Sequence, residues 1–300
     1  MEHERNNSDD NNDNPWLREN LFADIERSAT DSHEAVRESV ELPNTSPDYV
    51  CRAILRFIER DGRKPDVENF INERLSLQPK TYTSTDGFLE DNPGYEAELE
   101  SALRPDEKAA LKEYSGYRFA WINNAARGFW DYDKMGAKTP EAESEVMASI
   151  EKIRSAIPKS PASETDFVTF RGTNLDGFRA YGVHELSDLA NMKGQCMLEQ
   201  GFTSTALLRE KSFADGETES LWINKSNVEV RYHIPSGSHD QLALFTDGLS
   251  YSPDQTEVLI NRNSLFYISN VEYPDTEHAV IDALLIPRDI YDKPGARDRT

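Results

Sequence analysis

The sequence predicts an α+β fold in which helices come first and a largely antiparallel sheet follows. Up to Pro158, apolar residues recur at three- and four-residue spacing, which is the helical period. After Pro158, short β-branched and aromatic runs alternate with turn sequences such as PSGS and DGLS. Helices followed by short strands with tight turns are typical of an α+β domain.

The helices are predicted from capping residues and apolar spacing. Ser46 can cap a helix that ends at Gly62. Shorter helices are predicted over residues 67–75, 95–103 and 105–114. Ser115 is predicted to cap a further helix through GYRFAWINNAARGFW. Thr139 followed by Pro140 begins the last one, whose apolar face consists of Val146, Ile150, Ile153 and Ile157.

The strands are predicted from runs of apolar, β-branched and aromatic residues in the second half of the chain. They cover residues 167–173, 201–207, 228–234, 241–245, 256–261, 264–273 and 279–286. Within this half, a helical pattern is predicted near residues 184–192. The sequence contains no internal repeat.

The composition excludes several classes of protein. The 300 residues carry 33 Lys+Arg against 55 Asp+Glu, a formal net charge of -22. Phosphate backbones and anionic membrane surfaces attract basic proteins, so this charge disfavours nucleic-acid and membrane partners. Cys51 and Cys196 form no CxxC or Cys/His cluster, so neither a disulfide framework nor a metal site is predicted.

The chain is predicted to contain one folded domain after a polar amino-terminal segment. Residues 1–45 are rich in Asn, Asp, Glu and Ser and are expected to be flexible and acidic. The domain then covers residues 46–300, with a helical part at 46–160 and a β-rich part at 161–300. No apolar run is long enough to cross a membrane, and no signal peptide is expected at the charged amino terminus.

Several polar residues lie where a plain core would not need them. Arg171 follows the strand FVTF and precedes Gly172, so its guanidinium can reach a phosphate without a neighbouring side chain in the way. The strand GFTSTAL carries three hydroxyls, on Thr203, Ser204 and Thr205. Alone, these residues also fit an edge arginine paired with a carboxylate and an ordinary hydroxyl-rich strand.

Two further pairs are spaced to share a face. At the entrance to the strand VLI, Gln255 and Glu257 are two apart and therefore point to one side, and Thr256 points to the other. An amide and a carboxylate on one face can bind two groups of one ligand. Asn123 and Arg127 are four apart and therefore lie on one helical face. Solvated polar faces are the alternative for both pairs.

In this order, the motifs resemble those of the mono-ADP-ribosyltransferase toxin family, in the Arg-Ser-Glu (R-S-E) branch with a Gln-Xaa-Glu motif. The matching segments are YSGYRFAWINNAAR, FRGT, FTSTA, VRYHIPSGS and DQTEVLINRNS. They span roughly residues 110–286. The resemblance implies an ADP-ribosyltransferase-like core of mainly antiparallel strands, preceded by helices.

The resemblance implies an enzyme that uses NAD as a co-substrate and needs no metal. It would break the bond between nicotinamide and ribose through an oxocarbenium-like transition state and transfer ADP-ribose to a side chain of a target protein. Glu257 matches the family's catalytic glutamate and Ser204 the serine that orients it. Arg171 matches the arginine that holds the NAD phosphates. Asn123 and Arg127 match helix residues that bind the dinucleotide.

Other residues receive binding roles from the same resemblance. Gly172 and Thr205 are expected beside NAD, and Phe213 is the expected lid residue of the segment over its phosphates and nicotinamide. The loop at 247–254 occupies the place of the family's acceptor-recognition loop. Tyr251 in this loop is expected to contact the target protein, with packing over the loop as the alternative.

Gln255 indicates which side chain is modified. Family members that modify arginine carry a second glutamate here, whereas a glutamine resembles the Rho-modifying clostridial exoenzymes, which act on asparagine. An amide both donates and accepts hydrogen bonds toward another amide, so we expect an Asn or Gln acceptor rather than Arg. Guanine-modifying relatives share the glutamine, but the charge of -22 disfavours DNA. Ala206 replaces a serine of the family's serine motif.

Three functions are compatible with these motifs. The first is a transferase acting on a host protein such as a GTPase, as a monomeric bacterial effector or toxin secreted by a specialised system into the host cytosol. The second is an NAD glycohydrolase whose acceptor is water. The third is a binding module that has kept the fold. A phage or bacterial transferase that stays in the cytoplasm and modifies bacterial proteins is the alternative setting.

Overall fold

A computed structural model describes residues 64–128, 130, 135–212, 226–238, 241–245 and 248–291. The predicted segment 1–45 and the predicted helix over 46–62 lie outside these residues. Within them, helices come first and one sheet follows, so the predicted α+β class is confirmed. No helix in the described ranges is long and apolar enough to cross a membrane.

The helices of the first half are mostly those that the sequence predicts. They are α1 (Lys64–Leu75), α2 (Thr85–Asp91), α3 (Tyr95–Ala102), α4 (Pro105–Glu113), α5 (Phe119–Ala126) and α6 (Pro140–Ala156). Helix α2 is not predicted, because its sequence TDGFLED contains a glycine and shows no helical period. Helix α6 begins as expected, since Thr139 Oγ1 accepts a hydrogen bond from Ala142 N at 3.2 Å. Its predicted apolar face is buried.

A second helix does begin after Ser115, but the prediction that Ser115 caps it is wrong. The chain passes from α4 to α5 through a wider, π-helical turn, Tyr114–Arg118, which is interrupted at Gly116 (φ -90°, ψ -125°). Ser115 lies inside this turn, where its hydroxyl donates to the Lys112 carbonyl at 2.9 Å. A serine followed by a glycine is typical of a helix boundary, and the non-helical Gly116 marks that boundary here.

Eight strands in the described residues form one sheet. They are β1 (Phe167–Thr173), β2 (Cys196–Glu199), β3 (Thr203–Ala206), β4 (Val228–Ile234), β5 (Leu242–Leu244), β6 (Glu257–Ile260), β7 (Ser264–Glu272) and β8 (Ala279–Ile286). Their spatial order is β2-β7-β8-β4-β1-β3-β6-β5. All neighbours are antiparallel except β4 and β8, which are parallel. The prediction of a largely antiparallel sheet is therefore confirmed. Of the eight strands, β2 is the one that the sequence analysis does not predict.

Short helical segments complete the described chain. Residues Leu175–Tyr181 and Leu186–Met192 form 3-10 helices between β1 and β2, and the second of them corresponds to the pattern predicted near 184–192. Another 3-10 turn, Pro253–Gln255, precedes β6. A four-residue helix, α7 (Arg288–Tyr291), follows β8.

The register of three central strands places the candidate site. Strands β1 and β3 pair Phe170 with Ala206, and strands β3 and β6 pair Ala206 with Glu257. The end of β1, the end of β3 and the start of β6 therefore lie side by side, at the same end of these three strands. One hydrophobic core contains buried side chains from the helices and from these strands, so the helices are fixed against the sheet.

Candidate active site

A cavity of about 330 Å³ lies where β1, β3 and β6 meet the turn between α4 and α5. Most residues that the sequence singles out line it. They are Asn123, Arg171, Gly172, Ser204, Thr205, Gln255 and Glu257. The motifs are up to about 130 positions apart in sequence, and the sheet register brings them together, as the order of motifs predicts.

Glu257 is the first residue of β6 and is only 6% exposed. Burial raises the pKa of its carboxyl to about 7, although a hydrogen bond with the Ser204 side chain and the positive charge of Arg171 both lower it. A buried carboxyl that titrates near neutrality in a cavity is typical of a functional site, because ordinary surface carboxyls are fully ionised there.

The Arg171 guanidinium is fixed across the sheet. Its Nη1 donates to the main-chain carbonyl of Ser204 at 3.0 Å. The alternative of an edge arginine paired with a carboxylate finds no support among the described residues, where Arg171 forms no ion pair. A guanidinium has several N–H donors, so others are left for the phosphate oxygens of a ligand.

Gln255 reaches the cavity in a different way from the one predicted. It ends the 3-10 turn Pro253–Gln255 and does not lie on the strand, so the prediction of a shared strand face is wrong. Thr256 adopts the left-handed conformation (φ 50°, ψ 44°), and β6 begins only at Glu257. Because the left-handed residue turns the chain, Gln255 and Glu257 both line the cavity.

Asn123 is buried and ties α5 to the connection between β2 and β3. Its side-chain nitrogen donates to the Tyr114 hydroxyl at 2.8 Å, and its side-chain oxygen accepts from Phe202 N at 2.9 Å. Tyr114 also lines the cavity, and burial followed by the nearby charge of Glu257 raises the pKa of its hydroxyl. Asn123 thus lies in the cavity wall, and a solvated polar face is excluded for it.

Arg127 lies one helical turn after Asn123 and bonds to Glu199, the last residue of β2. Its Nε donates to Glu199 Oε1 at 2.9 Å, and Gly201 N donates to the same oxygen at 2.8 Å. Burial raises the pKa of Glu199, but Arg127 and the Gly201 amide outweigh it and hold this pKa below its usual range. Arg127 is not in the lining of the cavity. Its role toward NAD stays a prediction.

The two residues that the family resemblance places in loops, Phe213 and Tyr251, have different outcomes. Phe213 lies outside the described residues. Tyr251 is 58% exposed, its amide donates to Ser115 Oγ at 2.9 Å, and Lys112 Nζ lies 5.4 Å from the centroid of its ring. Exposure fits the predicted contact with a target protein, and the contact itself stays a prediction.

Several residues of the cavity wall are missed by the sequence analysis. They are Tyr114, Ser115, Gly116, Phe119, Phe170, Ala206, Lys211, Ser212 and Ser252. The main chain fixes this side of the wall, because Gly172 N donates to the Ser212 carbonyl at 2.7 Å. Lys211 adds a positive charge to the same wall as Arg171. The sequence could have indicated Lys211 by its position: it follows the strand with three hydroxyls and lies close to Phe213, in the segment that the resemblance places over the phosphates of NAD.

The comparisons with known proteins agree with this fold. Residues 92–288 match the family model described as ADP-ribosyltransferase exoenzyme. Comparison with curated protein sequences finds no relative. Among solved structures, the chain is similar to C3stau2 from S. aureus, crystallised with NAD, at 20% identity and a TM-score of 0.53, over 70% of this chain and 100% of that one.

A second solved structure is Plx2a, an ADP-ribosyltransferase toxin from Paenibacillus larvae. It has 20% identity and a TM-score of 0.50, over 70% of this chain and 100% of that one. These likenesses establish the fold. Fold and family match together define an NAD-dependent ADP-ribosyltransferase of the toxin type. The chain belongs to the ADP-ribosyltransferase exoenzyme family and modifies proteins with ADP-ribose from NAD.

Proposed function

We propose that this enzyme is a bacterial toxin or effector that transfers ADP-ribose to an asparagine or glutamine side chain of a host protein. The observation that carries the proposal is the position of Gln255, which lines the same cavity as the buried Glu257. Delivery into the host cytosol by a specialised secretion system is part of the proposal.

In the proposed reaction, the bond between the nicotinamide nitrogen and ribose C1 breaks, and nicotinamide leaves with the bonding electron pair. The ribose becomes an oxocarbenium-like cation, which the ionised Glu257 stabilises. The amide nitrogen of the acceptor then forms a bond to C1 and loses a proton. Glu257 must be ionised in this role, so its pKa of about 7 limits the reaction on the acid side.

Arg171 and Ser204 have supporting roles in this proposal. The hydrogen bond between the Ser204 side chain and Glu257 favours the ionised carboxyl, and Arg171 does the same through its charge. Arg171 and Lys211 line one wall, where they would bind the two phosphates of NAD. Gly172 and Thr205 lie in the same wall, and a glycine lets the diphosphate approach the main chain.

Gln255 would select the acceptor. A carboxylate only accepts hydrogen bonds and therefore suits a guanidinium, whereas a carboxamide donates and accepts at once and suits another carboxamide. Gln255 is exposed, while Glu257 is buried, so the amide lies nearer to an approaching protein than the carboxyl does. Tyr251, four positions earlier and 58% exposed, would contact the same target.

The test is to map modified residues by mass spectrometry after incubation with NAD and a eukaryotic cell lysate. Wild type, Glu257→Ala and Gln255→Glu are compared. We expect ADP-ribose on Asn or Gln with wild type, none with Glu257→Ala, and transfer to Asn or Gln reduced by about tenfold or more with Gln255→Glu.

Each other outcome has a definite meaning. Modification of Arg by the wild-type protein would contradict the acceptor assignment and leave the enzyme class unchanged. Release of free nicotinamide and ADP-ribose with no modified protein would favour the NAD glycohydrolase. Modification after incubation with a bacterial lysate, and not with the eukaryotic one, would favour the phage or bacterial setting.

A further inference from the structure

The loop that carries Gln255 is held by a second set of contacts, separate from those that fix Glu257. We propose that Ser115 and Gly116 form a seat for the loop at residues 248–255, and that this seat decides how much ADP-ribose goes to a protein acceptor rather than to water. The inference rests on the proposed transfer function. Ser115 and Gly116 act in it as positioning residues for Gln255.

The seat arises from the irregular turn between α4 and α5. Gly116 interrupts that turn, and the Lys112 carbonyl accepts a hydrogen bond from the Ser115 hydroxyl at 2.9 Å. Because the hydroxyl proton is committed to Lys112, the oxygen lone pairs remain for another donor. That donor is the main-chain amide of Tyr251, also at 2.9 Å. One hydroxyl therefore joins the helical turn to the loop.

The second contact is that of the Tyr251 ring with Gly116, which leaves room for the ring because it has no side chain. A Cβ at this position would lie 2.8 Å from Cδ2 of the Tyr251 ring, which is closer than carbon atoms approach without a shift. The ring can lie against the turn because residue 116 is glycine. Lys112 Nζ, 5.4 Å from the ring centroid, adds a cation–π contact on the same turn.

Hydrogen bonds within the loop couple the position of Gln255 to that of Tyr251. Ser252 N donates to Ser250 Oγ at 2.9 Å, and Gln255 N donates to the Ser252 carbonyl at 3.0 Å. Thr256 N donates to the Pro253 carbonyl at 3.0 Å. These consecutive turns leave little freedom between the seat and Gln255, so release of Tyr251 would change where the Gln255 amide lies.

Glu257 depends on other contacts. It pairs with Ala206 in the sheet and is buried, and neither feature involves the seat. Loosening the loop should therefore disturb the acceptor group more than the group that stabilises the ribose cation. The expected signature is a change in partition: less ADP-ribose on protein for each nicotinamide released.

The experiment compares wild type with Ser115→Ala, Ser115→Thr and Gly116→Ala. Hydrogen exchange of the Tyr251 amide reports the seat directly, without NAD or an acceptor. We expect exchange to be roughly fivefold faster in Ser115→Ala, the loss of one hydrogen bond, and close to wild type in Ser115→Thr, which keeps the hydroxyl. Ser76→Ala is the matched control, because the Ser76 hydroxyl also donates to a carbonyl three residues earlier, that of Glu73 at 2.6 Å, and lies just after α1.

The second measurement is the ratio of protein-bound ADP-ribose to released nicotinamide. We expect it to fall severalfold in Ser115→Ala and Gly116→Ala and to be restored in Ser115→Thr. Unchanged exchange of the Tyr251 amide in Ser115→Ala would overturn the seat, and an unchanged ratio would overturn its effect on the acceptor. Failure of the proposed function would look different. Modification of Arg by the wild-type protein would contradict the acceptor assignment, but the ratio of protein-bound ADP-ribose to released nicotinamide could still be measured.

Discussion

Arg171 Nη1 donates a hydrogen bond to the main-chain carbonyl of Ser204 at 3.0 Å, which fixes the end of β1 against β3. Both residues act on a third group, because the Ser204 side chain and the Arg171 charge each lower the pKa of Glu257. Burial acts in the opposite direction and is the larger effect, so the pKa is about 7. The protonation state of the Glu257 carboxyl near neutral pH therefore depends on Ser204 and Arg171.

The first prediction concerns the pH dependence of nicotinamide release. If the ionised Glu257 is required, kcat/KM for NAD should rise with pH to a plateau, with an apparent pKa of about 7. Ser204→Ala removes a hydrogen bond that lowers this pKa, so the rise should move to higher pH. Thr203→Val, which removes a hydroxyl from the same strand, should leave it in place. A profile with the midpoint near 4.5 in wild type would contradict the assigned role.

The second prediction concerns stability in Glu257→Gln. The folded pKa of Glu257 is raised from 4.5 to about 7, so its stabilising contribution is complete below pH 4.5 and is lost as the pH rises through 7. At pH 8 the buried carboxylate lowers the free energy of unfolding by about 3 kcal/mol. Replacement by the neutral amide should therefore raise the stability at pH 8 relative to wild type, and much less at pH 4, measured by urea unfolding.

The same variant separates binding from chemistry. Nicotinamide release should fall by about a hundredfold or more, because stabilisation of the ribose cation is lost in the transition state. NAD affinity, measured by calorimetry, should stay close to that of wild type. A loss of affinity as large as the loss of rate would instead mean that Glu257 mainly binds the ground state.

The sequence predicts which residues line the cavity better than it predicts the local backbone. Strand β1 has the bounds expected for FVTFRGT, and Arg171, Ser204 and Glu257 lie in short motifs whose order the sheet register explains. The left-handed Thr256 is not predictable in this way, because a β-branched residue normally favours a strand. The role of Ser115 is likewise not predictable from local propensity, because its hydroxyl accepts a hydrogen bond from the Tyr251 amide, 136 positions away in the sequence.

The third prediction concerns Asn123→Ala. This change leaves the buried Phe202 amide without the side-chain oxygen that it donates to, and it removes the donor to the Tyr114 hydroxyl. An unsatisfied buried donor lowers stability by about 1–3 kcal/mol, so the free energy of unfolding in urea should fall by that amount. Asn124→Ala, one position further on the same helix, is the control and should change stability by less than about 0.5 kcal/mol. Equal stabilities of the two variants would exclude the structural part of the role of Asn123.

The fourth prediction concerns the strained residue between Gln255 and Glu257. A left-handed conformation costs a residue with a side chain about 1–2 kcal/mol, whereas glycine adopts it freely and loses about 0.5–1 kcal/mol of chain entropy instead. Thr256→Gly should therefore leave the free energy of unfolding unchanged or raise it by up to about 1.5 kcal/mol. Its activity should shift from protein modification toward hydrolysis, because a glycine no longer fixes the orientation of Gln255.

Thr256→Val separates the backbone effect from the hydroxyl. The Thr256 hydroxyl is buried without a hydrogen-bond partner in the described part of the chain, so its replacement by a methyl group should be neutral or slightly stabilising. Valine keeps the β-branch and with it the left-handed strain, so the partition between protein and water should stay as in wild type. A shift in Thr256→Val equal to that in Thr256→Gly would mean that the hydroxyl, and not the conformation of residue 256, determines where Gln255 lies.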